Sequence, residues 1–175
     1  IFLLPEINLT PQFLKFFSEH VDAKIYSYHS SISNSEKLNL WQECLNNDDP
    51  KLVLGVRSAI FLPLKNIGLI VVDEEHDSSF KQEDRCRYNA RDVAIKRAHL
   101  DDIPIILGSA TPSCETFFKM HKNTKEYLPM EERVSDSVLP SVEIVDIRND
   151  SSIQKNENNE YWPFHSKSIE MIKLA

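Results

Sequence analysis

The stretch I-G-L-I-V-V-D-E-E-H-D at residues 67–77 decides the fold of this chain. Its first six residues carry no charge and show no polar–apolar alternation, which is typical of a strand buried on both faces of a sheet. Five ionisable residues follow directly, at residues 73–77. A second apolar run, at residues 103–107, also ends in small and polar residues, G-S-A-T at 108–111. The two runs predict neighbouring buried strands with polar carboxyl ends.

On either side of this stretch, short apolar runs alternate with helical patterns. Three further strands are predicted, at residues 1–4, 25–28 and 52–54. Helix starts are predicted where a hydroxyl residue precedes a proline or lies three residues before a glutamate: Thr10, Ser33 and Thr111. A further helix is predicted over residues 89–100. Doubly buried strands that alternate with helices predict an α/β fold, a parallel sheet with helices on both faces.

Composition and charge exclude several classes of protein. The chain has 175 residues, of which 41 % are hydrophobic, and a formal net charge of −7, which suits one folded domain with room for the start of a second. Its longest apolar run, residues 67–72, is far shorter than the ~20 residues of a membrane span, so neither a membrane contact nor a signal peptide is predicted. The three cysteines form no C-x-x-C pair, which argues against a zinc site or a disulfide framework and favours a cytoplasmic protein.

Glycine is too scarce to form a phosphate-binding loop within this sequence. The glycines are Gly55, Gly68 and Gly108, and neither G-x-x-x-x-G-K-[ST] nor G-x-G-x-x-G can be written around them. The chain also opens inside an apolar run at Ile1 and ends inside an amphipathic pattern. We therefore expect a piece of a larger protein, in which nucleotide phosphates are bound by residues outside this sequence.

The polar ends of the two strongest strands are the candidate site. Ligands of parallel sheets bind at the carboxyl ends of the strands, where the loops converge. A carboxylate such as Asp73 can hold Mg²⁺ through water, and a second one, such as Glu74, can orient an attacking water in phosphoryl transfer. Two plainer interpretations stay open from these residues alone: a solvated strand end at 73–77, and a structural helix start at Thr111.

The order of these motifs resembles a known family. D-E-E-H followed by G-S-A-T resembles two motifs of superfamily 2 helicases and translocases. Longer strings resemble the PriA family of bacterial replication-restart helicases: L-L-P-E-I-N-L-T-P-Q (3–12), G-V-R-S-A-I-F-L-P (55–63), D-E-E-H-D-S-S-F-K-Q (73–82), R-Y-N-A-R-D (87–92) and I-I-L-G-S-A-T-P-S (105–113). The resemblance, continuous over residues 1–120, implies a RecA-like helicase lobe of the P-loop NTPase type, incomplete at its N-terminus. We expect this first lobe at residues 1–135, a connector with one strand at 136–165, and the start of a second lobe at 166–175.

The resemblance implies roles for particular residues. Asp73 would hold Mg²⁺ through water, Glu74 would be the general base for the hydrolytic water, and His76 would couple the nucleotide state to DNA and to the second lobe. The relay that links hydrolysis to lobe movement would consist of Ser109, Ala110 and Thr111. DNA contacts are expected from three segments, namely Pro5, Glu6, Thr10 and Gln12, then Gly55, Arg57 and Ser58, and finally Phe80, Lys81, Tyr88 and Arg91.

Residues 80–91, which we call the basic segment, hold aromatic rings among cations. Residues 81–99 carry six basic and three acidic side chains, although the whole chain is acidic. Rings stack on bases and cations offset phosphate charge, so the pattern favours binding of single strands without sequence readout. The alternative is that the two rings pack against the sheet while Arg91 bonds to Asp77 or Asp92.

The resemblance implies part of an ATP-dependent 3′–5′ DNA helicase that acts in primosome assembly and in the restart of stalled replication forks. The expected cofactors are ATP and Mg²⁺, with zinc only in parts of the parent outside this chain. The expected partners are single-stranded and forked DNA, primosome proteins and single-strand-binding proteins, and the fragment alone is expected to be inactive. Two alternatives stay open: a metal-dependent phosphoesterase that uses residues 73–76 directly, and a catalytically silent α/β module that binds a protein partner.

Overall fold

Strands alternate with helices along the chain in this computed structural model, which describes residues 1–5, 10–122, 127–130 and 142. The strands are β1 Phe2–Leu3, β2 Lys24–Tyr28, β3 Lys51–Gly55, β4 Ile70–Val72, β5 Lys81–Gln82, β6 Tyr88–Asn89 and β7 Ile105–Leu107. The helices are α1 Thr10–His20, α2 Asn34–Asn46, α3 Ala90–Asp101 and α4 Cys114–Lys122, with 3₁₀ helices at Arg57–Phe61 and Ser78–Phe80. Each strand and helix predicted within residues 1–122 therefore has a counterpart.

Five strands form one parallel sheet in the order β2–β3–β1–β4–β7, and β5 pairs with β6 in a separate antiparallel hairpin. The register places Phe2 of β1 between Leu54 of β3 and Val71 of β4, and Val71 lies opposite Ile106 of β7. The predicted parallel α/β sheet is confirmed. Because the five strands run in one direction, the segments that follow them all leave the sheet at its carboxyl edge.

The core lies around the central strands of this sheet. Leu3, Leu54 and Ile70 are completely buried, and burial of a side chain of this size contributes about 1.5–3 kcal/mol. α1 packs against β2 and β3, whereas α3 packs against β4 and β7. The rings of Phe2 and Phe13, whose centroids are 5.4 Å apart, join α1 to the sheet. The apolar runs of the sequence therefore form the buried core of the sheet, and the polar strand ends extend from this core.

The two strongest predicted strands are shorter than their apolar runs. β4 begins at Ile70 rather than at residue 67, because the Ile70 N–H bonds to Pro104 O at 3.2 Å and proline has no N–H to extend the ladder. β7 begins directly after the same proline. Ile106 is 53 % exposed, so the prediction that this strand is buried on both faces is wrong in the described sheet, where β7 is an end strand.

The structure tests two of the predicted helix caps, those at Ser33 and Thr111. Ser33 and Glu36 form the predicted capping box: Ser33 Oγ accepts the Glu36 N–H at 3.2 Å, and the Glu36 carboxylate accepts the Ser33 N–H at 2.8 Å. The cap predicted for α4 is wrong. Ser113, not Thr111, caps this helix, since Ser113 Oγ accepts the backbone N–H three residues on at 3.3 Å. Thr111 is therefore free of a capping role and belongs to the loop before the helix.

The chain divides into two units. Ile1–Tyr127 form one unit, and Leu128–Ala175 form the other, of which the structure describes residues 128–130 and 142. The strand predicted within the connector at 136–165 falls outside the described residues except for Val142, which is exposed and belongs to no strand. The boundaries expected at residues 135 and 165 also lie outside the described residues and stay predictions.

Candidate functional site

The polar ends of β4 and β7 lie side by side at the carboxyl edge of the sheet. The Gly108 N–H donates to Val72 O at 2.9 Å, and the Glu75 N–H donates to Gly108 O at 3.0 Å. We call residues 73–76 the DEEH segment and residues 108–111 the GSAT segment. The backbone ladder of the two strands thus continues into both segments, and the prediction that these two polar ends are neighbours is confirmed.

His76 connects the DEEH segment to the GSAT segment through both ring nitrogens. Its Nδ1 lies 2.7 Å from Ser109 Oγ, and its Nε2 lies 3.3 Å from Thr111 Oγ1. The Thr111 N–H in turn donates to Ser109 Oγ at 3.0 Å. Ala110, between them, is exposed and has no polar side chain. The imidazole therefore holds the two hydroxyls in a fixed relation to the end of β4.

The first two acids of the DEEH segment face the open edge of the sheet. Asp73 is half-buried, and its Oδ1 accepts the Glu74 N–H at 3.1 Å. Glu74 adopts a left-handed backbone conformation, with φ of 48°, which costs a non-glycine residue about 1–3 kcal/mol. Its side chain is 43 % exposed, and its Oε2 lies 3.5 Å from His76 Nδ1. This strained turn places Glu74 toward solvent while the next residue, Glu75, is directed into the protein.

Glu75 is completely enclosed and fully hydrogen-bonded, a role that the sequence did not predict. Its Oε1 accepts the Ser113 N–H at 2.6 Å, and its Oε2 accepts bonds from Arg91 Nη1 at 2.9 Å and from Thr116 Oγ1 at 3.0 Å. Burial acts to raise the pKa of Glu75, but these hydrogen bonds outweigh it and hold the pKa below its ordinary value. Glu75 therefore stays ionised and ties the end of β4 to the starts of α3 and α4.

Arg91 belongs to this interior network, so the prediction that it contacts DNA is corrected. Its side chain is only 13 % exposed, because the guanidinium bonds to Glu75, to Ser113 Oγ at 2.9 Å and to Asp92 Oδ1 at 3.0 Å. Of the two carboxylates predicted as alternative partners of Arg91, Asp92 is the one that it contacts. The other alternative, Asp77, instead accepts a backbone N–H as the cap of the 3₁₀ helix at Ser78–Phe80.

The aromatic residues of the basic segment differ in burial. Phe80 is 0 % exposed and lies in the hydrophobic core, so the prediction that it stacks on a base does not hold in this structure. Tyr88 is half-buried and meets Phe61 edge to face, with ring centroids 5.0 Å apart. Phe61 is 49 % exposed, so it presents the larger aromatic surface beside the segment. Sequence reasoning missed Phe61, whose adjacent residues Ile60 and Leu62 are apolar.

Hydrogen bonds join the loops that follow β1, β3 and β4 to one another. Ser79 Oγ donates to Pro5 O at 3.0 Å, and Arg57 Nη1 donates to Ser79 O at 3.3 Å and to Lys81 O at 2.9 Å. The Arg57 Nη1 is thus used to hold the basic segment in place. Its predicted DNA contact stays a prediction for the remaining guanidinium N–H groups.

The other predicted DNA-binding residues occupy different settings. Gly55 ends β3, where an added Cβ would lie 2.4 Å from the Ala59 Cβ and 2.8 Å from Tyr28 O, so close packing requires glycine there. Side chains that are exposed at the carboxyl edge or on the first turn of α1 are those of Gln12, Ser58 and Lys81. Thr10 is the first residue of α1, and Glu6 lies outside the described residues.

Two kinds of site are disfavoured in the part of the chain that the structure describes. No group of three or more His, Cys, Asp or Glu side chains is placed to hold a metal ion by itself. Glu75 is turned inward toward Arg91, so residues 73–76 do not converge as a direct phosphoesterase would require, and that alternative is not favoured. Among the same residues, no helix has the length and apolar character that crossing a membrane demands.

Comparisons with known proteins identify the family of this fold and site. Residues 1–119 match the family model of DEAD/DEAH box helicases. The chain is 44 % identical over 148 residues to replication restart protein PriA of Bacillus subtilis, covering 85 % of the chain and 18 % of that protein. It is 48 % identical over 151 residues to PriA of Synechocystis sp. (83 % and 18 %) and 40 % identical over 147 residues to PriA of Rickettsia felis (84 % and 22 %). The chain thus spans about a fifth of the length of these relatives.

Proposed function

The chain belongs to the DEAD/DEAH box helicase family, and from this premise we propose that it forms most of the first motor lobe of an ATP-dependent DNA helicase. Its similarity to replication restart proteins supports a role of the full-length protein in restarting replication forks and assembling primosomes. The sequence contains no G-x-x-x-x-G-K-[ST] loop, so this chain alone is expected to be inactive.

One observation carries this proposal: His76 bonds to both hydroxyls of the GSAT segment. A nucleotide-driven motor must connect the groups that act on the phosphates to the parts that move. Here a single ring joins the acidic end of β4 to the loop that leads into α4. Because of these two bonds, a shift of one strand end would displace the other strand end as well. A solvated strand end would not require such a connection.

The DEEH segment supplies the hydrolytic groups in this proposal. The family uses ATP together with a metal ion, and the residues present fit a hydrated Mg²⁺. Asp73 offers a half-buried carboxylate opposite Gly108, where a Cβ would lie only 3.4 Å from Asp73 Oδ1. A single carboxylate suits Mg²⁺, which keeps most of its water ligands. When bound, the metal would offset the charge of the transferred phosphoryl group.

Glu74 is the proposed general base, and His76 is the proposed coupling residue. The exposed carboxylate of Glu74 can reach a water molecule at the open edge, whereas the enclosed carboxylate of Glu75 cannot. Glu74 Oε2 lies 3.5 Å from His76 Nδ1, so the base and the coupling residue are neighbours at the end of β4. Ser109 and Thr111 complete the relay through their bonds to the imidazole.

Single-stranded DNA is proposed to cross the carboxyl edge of the sheet. Exposed polar or cationic side chains on this route are those of Gln12, Ser58, Lys81, Arg85 and Arg87. The Phe61–Tyr88 ring pair replaces the buried Phe80 as the candidate surface for base stacking. The basic segment is thus still proposed to bind single-stranded DNA, but base stacking is assigned to Phe61 and Tyr88 instead of Phe80.

The proposal extends to the remaining partners of the full-length protein. We place the helicase in the cytoplasm, with 3′–5′ polarity, forked DNA as substrate, and primosome and single-strand-binding proteins as partners. Any zinc would be bound outside this chain, whose three cysteines form no C-x-x-C pair. Similarity to proteins named for replication restart supports this placement.

Strand displacement by the full-length protein tests the proposed function. We expect ATP- and Mg²⁺-dependent separation of a duplex that carries a 3′ single-stranded tail, and little separation of the matched duplex with a 5′ tail. Cleavage of the DNA without ATP would support the phosphoesterase instead. Failure to hydrolyse ATP in the presence of single-stranded DNA would support the silent module. Either of these two results would overturn the proposal.

A further inference from the structure

Arg97 of α3 holds the chain at the end of the 3₁₀ helix Arg57–Phe61. Its Nη1 donates to Ile60 O at 2.6 Å and to Leu62 O at 2.9 Å. Its Nη2 donates to Leu64 O at 3.2 Å. The last carbonyls of a helix have no donor within that helix, so a side chain or water must bond to them. One guanidinium thus satisfies three carbonyls and ties the end of the 3₁₀ helix to α3.

The donors of this guanidinium are directed at protein oxygens. The Arg97 side chain is 20 % exposed, and its Nε lies 3.6 Å from Asp101 Oδ2, one turn further along α3. Arginine donates hydrogen bonds and accepts none. Because Nη1, Nη2 and Nε all face oxygens of the chain, Arg97 has little capacity left for a phosphate. Its role is therefore to position the segment that it holds.

That segment directs the Phe61 ring outward. Ile60 and Leu62, on either side, are each 1 % exposed, whereas Phe61 is 49 % exposed. The ring meets Tyr88 edge to face, and it also borders an open groove of about 410 Å³ that Leu100 helps to line. Packing therefore supports only part of the ring. Its direction depends on the backbone on both sides, where the guanidinium bonds to the carbonyls.

We infer that Arg97 is a positioning residue that presents the Phe61 ring to the bases of single-stranded DNA. The inference rests on the proposed function, in which Phe61 and Tyr88 form the stacking surface. The three bonds of the guanidinium fix the direction of the ring before DNA binds, so less conformational freedom is lost on stacking. Arg97 thereby raises the affinity for single strands without contacting them.

A double-mutant cycle on the full-length helicase tests this inference, with binding of a labelled single strand followed by fluorescence anisotropy. We expect Phe61→Ala and Arg97→Ala each to weaken binding by about tenfold, the size of one lost stacking contact. The double variant should also lose about tenfold, because Arg97 acts through a ring that is already absent. Arg97→Lys, which keeps the charge but has fewer donors, should lose less than Arg97→Ala.

The salt dependence of binding separates positioning from a direct phosphate contact. Loss of one phosphate contact lowers the slope of log affinity against log salt concentration by about one. Arg97→Ala should keep the wild-type slope, as should Phe61→Ala. Lys96→Ala is the matched control, because it removes an exposed cation from the adjacent position of α3. The affinity of this control should stay within about twofold of the wild type.

Each contrary result overturns the inference. These results are wild-type affinity in Arg97→Ala, losses that multiply in the double variant, a slope lowered by about one in Arg97→Ala, and an equal loss in Lys96→Ala. Where Arg97→Ala does not fold, Arg97→Lys takes its place in the cycle. Photo-cross-linking of bromouracil-containing strands to the wild type should in addition join them to Phe61, and no cross-link there would contradict us. Wild-type affinity in Phe61→Ala would refute the stacking surface of the proposed function, and the inference with it.

Discussion

His76 and Ser109 lie 33 residues apart in the sequence, yet Nδ1 of the histidine is 2.7 Å from Oγ of the serine. The contact arises because β4 and β7 are adjacent parallel strands whose polar ends leave the sheet together. The other ring nitrogen lies 3.3 Å from Thr111 Oγ1. The imidazole therefore bridges two strand ends that are also joined through the backbone and through the Glu75 carboxylate.

Ser109→Ala should separate ATP hydrolysis from DNA unwinding in the full-length helicase. The change removes one of the two hydroxyls that hold the imidazole, so hydrolysis continues while its link to movement weakens. We expect the unwinding rate per ATP hydrolysed to fall by about tenfold, measured by strand displacement and phosphate release on the same sample. Ser18→Ala, on the exposed face of α1, is the matched control. An unchanged number of base pairs unwound per ATP in Ser109→Ala would contradict this prediction.

The Phe80→Ala substitution should lower the free energy of unfolding. The ring is completely buried in the core, and removing a buried phenylalanine side chain costs about 3–5 kcal/mol. Phe61→Ala, at a ring that is 49 % exposed, should cost far less and should weaken single-stranded DNA binding instead. Thermal unfolding and fluorescence anisotropy on both variants check this. A Phe80→Ala variant as stable as the wild type would show that the ring is not part of the core.

Gly55→Ala should destabilise the first unit of the chain. The new methyl group would lie 2.4 Å from the Ala59 Cβ and 2.8 Å from a backbone oxygen, so the 3₁₀ helix at Arg57–Phe61 must shift. Overpacking of this kind costs about 1–3 kcal/mol. Gly68→Ala, where the added Cβ would meet nothing within 4 Å, should leave the free energy of unfolding nearly unchanged. Equal unfolding temperatures for the two variants would contradict the close packing at Gly55.

The Glu75 carboxylate should make stability depend on pH. Hydrogen bonds hold the pKa of Glu75 below its ordinary value in the folded protein, despite the opposing effect of burial. Its ionised form therefore stabilises the fold above the unfolded pKa of about 4.3, and this contribution is lost as the pH falls through the folded pKa. The stability difference between the wild type and Glu75→Gln should thus shrink in acid. Unfolding midpoints of both proteins, measured across this pH range, check the prediction. A difference between the two midpoints that stays constant would contradict it.

Sequence patterns predicted the fold and the meeting of the two strand ends because those features follow from local rules. An apolar run without alternation indicates a strand, and parallel strands bring their carboxyl ends to one edge. The Ser33–Glu36 capping box is equally local, since its two residues lie three positions apart and bond to each other. Such features need no knowledge of distant residues.

Other features depend on tertiary partners and could not be read from local patterns. A ring among cations looks the same in sequence whether it faces DNA or, as Phe80 does, the core. The DNA contact predicted for Arg91 rests on the resemblance and on its place in the basic segment. Its actual partners could not be predicted locally, because Glu75 lies 16 residues away and Ser113 lies 22 residues away. The residue spacing within the DEEH segment also does not predict the left-handed backbone at Glu74. This conformation places Glu74 toward solvent and Glu75 in the interior.

The central claim is that the acidic end of β4 hydrolyses ATP, and the Glu74→Gln variant of the full-length helicase tests it most directly. A neutral amide cannot accept the proton of the attacking water, so single-turnover hydrolysis in the presence of single-stranded DNA should fall by about 100-fold or more. Nucleotide binding, followed with a fluorescent ATP analogue, should stay at the wild-type level, as should hydrolysis by the control Glu19→Gln on α1. DNA-stimulated hydrolysis by Glu74→Gln at the wild-type rate would contradict the account.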